Sequence, residues 1–371
     1  MLRKRHRTGW GAAALTVILS ACGTGSSAPK GAAPAPKPPA ANALWRSPGP
    51  TANMPGDILI ADAGNNRIIM INPQKQIIWQ YPKPGQASLL HDDDDVFFGP
   101  HFDEIITNQE GYNVISILNF KTGKIVWNYG HGNIPGDLPG YLNTPDDAFL
   151  YHTPAGDVIT VADIKNQRIL FINRQTQAII RQYGQTGVRL NNPPFTFAAP
   201  NGDFPAPNHG MLVTQIGAND AVLLNQGGHV VWTVHFPSTF YYPSDANLTP
   251  HGNVIVAFYT YPGAIVKMSP SGRVLWQYDV ASGPGQLDHP SLAVELPNGM
   301  ILATDDYHDR IVEINPKTNQ IIWQYGHTGV AGTAPGYLND PDGLDLLPPG
   351  VIPGGTNPIG HHLWSYPGNG Y

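Results

Sequence analysis

The chain has 371 residues, 21 Lys+Arg against 27 Asp+Glu, and a single cysteine. The acidic balance argues against nucleic acid as a partner and against a basic patch for a membrane surface. One cysteine leaves no internal disulfide, so stability must come from the size of a core.

At the N-terminus, Arg3, Lys4, Arg5 and Arg7 precede a short apolar run from Ala12 to Leu19. The run is too short for a bilayer core of about 30 Å, and residues 1–21 read as a signal peptide. Leu19-Ser-Ala-Cys22 resembles the lipobox of bacterial lipoproteins. That resemblance implies cleavage before Cys22 and acyl chains on its sulfur and amine, the two or more chains that stable anchoring needs. Residues 22–43, rich in Ala, Pro, Gly, Ser and Lys, favour an extended spacer. Once the signal and linker cations are set aside, 15 Lys/Arg face 27 Asp/Glu, a net charge near −12. The expected location is the outer side of the cytoplasmic membrane or the cell surface, with the membrane touched only through the anchor.

Residues 44–350 carry a unit of about fifty residues six times over, the period of a radial or stacked array. Each unit reads as four short strands. Lead-in motifs precede the first strand: Leu142-Asn-Thr-Pro145, Leu190-Asn-Asn-Pro193 and Leu338-Asn-Asp-Pro341, with Leu287-Asp-His-Pro290 and Leu90-His-Asp-Asp93 as variants. Tight turns follow at Pro154-Ala-Gly156, Pro200-Asn-Gly202, Pro250-His-Gly252 and Pro297-Asn-Gly299. Second strands are apolar and β-branched, as in Asn253-Val-Ile-Val-Ala257. Fourth strands are marked by Trp79, Trp127, Arg181, Trp232, Trp276 and Trp323, spaced 48, 54, 51, 44 and 47 apart. The tryptophans are expected to pack between blades. Blade four is expected to carry a Pro-rich insertion at 204–208. The pattern predicts an all-β, six-bladed propeller of four-stranded antiparallel blades. The first copy lacks a first strand and the last copy consists of one alone, Asp342 onward. The two ends are therefore expected to share a blade and close the ring.

Tyr325-Gly-His-Thr-Gly-Val-Ala-Gly-Thr-Ala-Pro-Gly-Tyr-Leu-Asn-Asp-Pro-Asp-Gly-Leu344 resembles an NHL repeat, and so does the Asp-x-x-x-x-Arg-Ile pattern at Asp62/Arg67, Asp163/Arg168 and Asp305/Arg310. In blades two, four and five, Asn108, Gln215 and Phe258 are expected at the Asp position. The Trp-bearing fourth strand is also similar to PQQ-type propellers and bacterial arylsulfotransferases. Six blades and one cysteine count against the PQQ enzymes, which are usually eight-bladed with a disulfide or metal in the site.

Three sets of residues stand out as candidate sites. The Asp/Arg pairs should bridge the loop between strands two and three, either as ion pairs that fix the loop or as carboxylates facing the channel mouth. Aligned on the lead-in motif, the next two positions are Asp94-Asp95, Asp146-Asp147, Pro194-Phe195, Ser244-Asp245, Ser291-Leu292 and Asp342-Gly343. First strands line a propeller's channel, so Asp94, Asp95, Asp146, Asp147, Asp245 and Asp342 should converge on one rim. Clustered carboxylates repel unless compensated. A hard cation such as calcium is one reading, solvated turn-capping aspartates the other. Among the histidines, His91, His101, His289 and His308 are expected near the channel, and His209 and His251 in the opposite turns. Arylsulfotransferases use a channel histidine, and His91-Asp92 is the nearest match.

No nucleophile elbow, zinc motif or phosphate loop occurs. The primary expectation is thus a binding module for a protein, peptide or glycan at the cell envelope. The alternative is an exported metal-dependent hydrolase, lyase or sulfotransferase centred in the channel. The tail, 351–371, is rich in Gly, Pro and aromatics, and its composition does not assign it a role.

Overall fold

A computed structural model describes residues 54–355. The signal peptide, Cys22, the linker, residues 44–53 and residues 356–371 lie outside the described residues. Six four-stranded antiparallel sheets form the ring. First strands of blades one to six are Pro341–Leu347, Asp93–Phe98, Pro145–Thr153, Pro200–Ala206, Pro243–Leu248 and Ala293–Glu295. Second strands are Asp57–Asp62, Glu104–Gln109, Gly156–Asp163, Gly210–Gln215, Val254–Phe258 and Ile301–Asp305.

The ring closes in blade one. Asp57 pairs with Leu347 and Ile60 with Leu344, antiparallel, so the last strand of the chain is the innermost strand of the first blade. That pairing removes the two edges an open array would expose. Leu344, Leu346 and Leu347 are buried in it. Below the lead-ins, buried phenylalanines from three first strands pack on one another. Phe97 stacks on Phe149 with ring centroids 4.4 Å apart, and Phe204 meets both at 5.6 and 5.1 Å.

In each blade the residue just before the first strand, or close to it, adopts a left-handed conformation: Asp92, Thr144, Ala199, Tyr242, His289 and Asp340, with φ between 55° and 58°. This common kink fixes the register and corrects the reading of blade four. Its first strand begins at Pro200, so Pro200-Asn-Gly202 is strand rather than turn, and the supposed insertion at 204–208 is strand plus turn. Leu190-Asn-Asn-Pro193 belongs to the connection from blade three, where Asn192 bridges Thr196. In blade two the residue equivalent to Asp62 is Gln109, not Asn108, because Gln109 pairs with Asp93 as Asp62 pairs with Pro341.

The tryptophans do pack between blades. Nε1 of Trp79, Trp127 and Trp276 donates to the turn between strands three and four of the next blade, at Phe120 O, Arg174 O and Asn319 Oδ1, over 3.0, 2.9 and 2.7 Å.

Candidate metal centre at the channel mouth

The Asp/Arg pairs are buried loop fixtures. Arg67 pairs with Asp62, Arg168 Nε with Asp163 at 2.8 Å and Arg310 Nε with Asp305 at 2.6 Å. The other oxygen of each Asp accepts a lead-in N–H of its own blade, from Asn339, Asn143 and Asp288, at 2.7, 2.7 and 2.6 Å. The guanidinium groups reach the inter-blade connection, at Thr333 O and Tyr337 O for Arg67 and at Asp137 O for Arg168. Gln109 and Gln215 keep the acceptor role in blades two and four, taking the N–H groups of His91 and Ala198, each at 2.8 Å.

His308 belongs to this fixture rather than to the channel chemistry. Its Nδ1 bonds Asp305 at 3.0 Å, from the position that Asn65 and Asn166 occupy beside Asp62 and Asp163. That bond raises the imidazole's proton affinity above the ordinary histidine range. His91 is exposed and lies against Tyr112, ring centroids 4.3 Å apart. His289 bonds Asp288 at 2.6 Å and packs on Tyr259 and Tyr307 at 4.8 and 4.5 Å. His101 sits in the turn between strands one and two, at the opposite end, 5.9 Å from His152. His209 lies in the equivalent turn of blade four, as expected.

The rim carboxylates come together instead. Ligand atoms of Asp94, Asp95 and Asp146 lie within 4.8 Å of one another, and so do those of Asp95, Asp147 and Asp245. All five are buried, and Asp95 is shared. The second group spans blades two, three and five. Among the described residues no histidine joins either group. Asp342 stands outside both, although its charge acts on Asp245.

Two local features make this convergence possible. The pairing of first and second strands slips between Asp93 and Val96, Asp146 and Ala148, Pro200 and Asp203, and Pro243 and Ala246. A bulge re-aims side chains that would otherwise alternate across the sheet, which lets neighbours such as Asp94 and Asp95 serve one cluster. Blade four then contributes Gly202 at the ring position where blades three and five carry Asp147 and Asp245. Its missing side chain is the gap across which those carboxylates approach. Asn201 Nδ2, next to it, donates to Ser244 O at 3.3 Å and ties blade four to blade five.

Burial and mutual repulsion set the electrostatics of these carboxyl groups. Burial first, then the charges of Asp95 and Glu110, hold the Asp146 carboxyl well above the usual range. Burial, then Asp245, Asp95 and Asp146, does the same to Asp147. Burial, then Asp146 and Asp342, does so for Asp245. Both oxygens of Asp147 are fully buried and meet no N–H or hydroxyl donor; the polar group within bonding reach is the Asp245 carboxyl. A buried carboxylate in that state is costly unless it is protonated or meets a cation. Oxygens bound to one calcium at roughly 2.3–2.6 Å lie at most about 5 Å apart, so the geometry fits a divalent ion. Sequence reasoning missed Asp203, fully buried behind Asp147 and raising it further. The misplaced start of blade four hid it.

Residues 186–340 match the family model described as outer membrane protein assembly factor BamB. No curated protein matches the chain. Solved structures share the fold. One is a protein of unknown function from Bacteroides caccae, with 17% identity over 78% of this chain and 98% of that one, TM-score 0.50. Another is a chain of the nidogen/laminin complex, with 11% identity over 78% and 97%, TM-score 0.51. A streptogramin B lyase has 16% identity over 75% and 80%, TM-score 0.49. With 1142 solved chains matching, the architecture by itself selects no function. The chain is a six-bladed propeller with weak similarity to PQQ/BamB-like propellers.

Proposed function

We propose that this chain is an exported propeller, tethered through Cys22, whose channel mouth is a divalent-cation centre of a metal-dependent hydrolase or lyase. Calcium is the ion first in line, because the donors are all carboxylate oxygens and, among the described residues, no nitrogen or sulfur ligand joins them. The single observation that carries the reading is the buried meeting of Asp95, Asp147 and Asp245, with neither oxygen of Asp147 bonded to a donor. A bound ion would supply a Lewis acid for a substrate oxygen. Asp95, Asp147 and Asp245 would hold it. Asp146, which meets Asp94 and Asp95 in the neighbouring group, stands beside that position as the further carboxyl available to the reaction. The sulfotransferase alternative loses ground, since His91 lies tilted against Tyr112 and, among the described residues, joins no carboxylate group.

A second reading, a binding module for a protein, peptide or glycan, rests on the aromatic rim beside the carboxylates. Tyr242, Tyr259, His289 and Tyr307 form a continuous ring-to-ring cluster there. The partial match to an outer-membrane assembly factor also supports it. The test of the metal centre is calorimetric titration of chelator-treated protein with calcium. One ion per chain, lost in Asp147→Ala, supports it. No heat and no shift in Tm at millimolar calcium would overturn it.

A further inference from the structure

The fourth strand of blade three, Ile179–Tyr183, departs from the other five at one position. Arg181 pairs across from Phe171 where Trp79, Trp127, Trp232, Trp276 and Trp323 pair in their own blades. The arginine imitates the tryptophan's hydrogen bond. Its Nη1 donates to Gln226 O at 2.9 Å, in the same turn of the next blade that receives the indole N–H elsewhere. A cavity of about 530 Å³ opens between blades three and four, with Arg181 at its wall.

The lining has a consistent chemistry. Tyr151, Phe171, Ile180, Tyr183 and Met211 form an apolar, largely aromatic surface, and among the described residues no Asp or Glu lines it. The Arg181 guanidinium lies 5.5 Å from the Phe171 ring centroid and 5.9 Å from that of Tyr183. Nη1 is committed to Gln226 O and to the Tyr183 hydroxyl at 3.2 Å. The Nε–Nη2 edge remains, which is the edge that pairs side-on with a carboxylate. His152, whose Nδ1 meets Asp157, and His209 also line the cavity, and Arg181 is its permanently charged group; a concave, mostly apolar site of this size suits a small amphipathic ligand.

We propose that this cavity is a second ligand site, specific for a small aromatic carboxylate whose ring lies against Phe171, Tyr183 and Met211 and whose carboxylate pairs with Arg181. It shares no residue with the channel carboxylates and does not depend on the cation. Titration of the full chain in EDTA with 2-naphthoate, and with the neutral 2-naphthylmethanol, tests it. The native chain binds naphthoate, and the alcohol at least about tenfold more weakly. Arg181→Trp restores the repeat's own residue, keeps the fold by circular dichroism and loses both ligands. Arg181→Gln keeps the alcohol and loses the preference for the carboxylate. Naphthoate binding unchanged in Arg181→Trp, equal affinity of the native chain for the two ligands, or no binding at millimolar naphthoate would each overturn the proposal. Because EDTA is present, none of these outcomes bears on the channel centre.

Discussion

Asp147 of blade three and Asp245 of blade five approach each other across blade four because Gly202 has no side chain. A Cβ at Gly202 would lie 2.9 Å from one Asp147 oxygen and 3.4 Å from an Asp245 oxygen. The backbone there needs no glycine, since its φ is not in the left-handed region. Gly202→Ala should therefore leave the fold intact and part the carboxylates. Calcium affinity should fall about 10- to 100-fold, the usual effect of disturbing ligand placement, and Tm in chelator should fall modestly, because the Thr214 hydroxyl, 3.2 Å from the added Cβ, must also give way. An alanine variant that binds calcium normally would show that the gap is not part of the site.

Asp147→Asn and Asp245→Asn should act with opposite sign in the two states. Their folded-state proton affinity is raised, so the folded chain binds protons more tightly than the unfolded one. In chelator, their contribution makes stability fall as pH rises from about 4 toward the folded values. The Asn variants relieve this and should each be more stable than the native chain at pH 7 in chelator. With excess calcium they should instead be less stable than the native chain, because a hundredfold excess over Kd contributes about 2.7 kcal/mol that they forfeit. Thermal melts at pH 5 and 7, with and without calcium, read both signs.

His308 offers a separate pH test. Its raised proton affinity means that its bond to Asp305 stabilises fully below about pH 6.5 and fades as pH rises through the folded value. His308→Asn places in blade six the residue that blades one and three already use. It should remove that pH-dependent component while holding the loop. Parallel pH–Tm curves for the two proteins would count against the assignment.

Cys22→Ser should release the protein from membranes and leave the propeller folded, since it deletes the acylation site. Fractionation and palmitate labelling check this. Label entering the variant would refute the lipobox reading.

The architecture was legible because its period is carried by residues with fixed jobs. The left-handed lead-in, the Asp/Arg staple and the outer tryptophan each recur, and the mismatched ends announce closure. The rim aspartates were legible as a set, but not their pairing. In a regular strand Asp94 and Asp95 would face opposite sides, and the bulge that unites them leaves no mark in composition. Blade four misled because Leu190-Asn-Asn-Pro193 imitates a lead-in, while the true one, Phe197-Ala-Ala-Pro200, lacks the Leu-Asn pair. That slip hid Gly202 and Asp203. His308 resembles a channel histidine in the sequence, but its offset of three from Asp305, shared by Asn65 and Asn166 with their own aspartates, marks it as part of the staple.

The central claim is that the buried carboxylates of blades two, three and five exist to hold a divalent ion. Anomalous diffraction from crystals grown in millimolar calcium, or with terbium in its place, tests it most directly. The expected result is a single strong peak bonded by oxygens of Asp95, Asp147 and Asp245. A channel mouth with no peak, in which those carboxyl groups are protonated and bonded to one another, would contradict it.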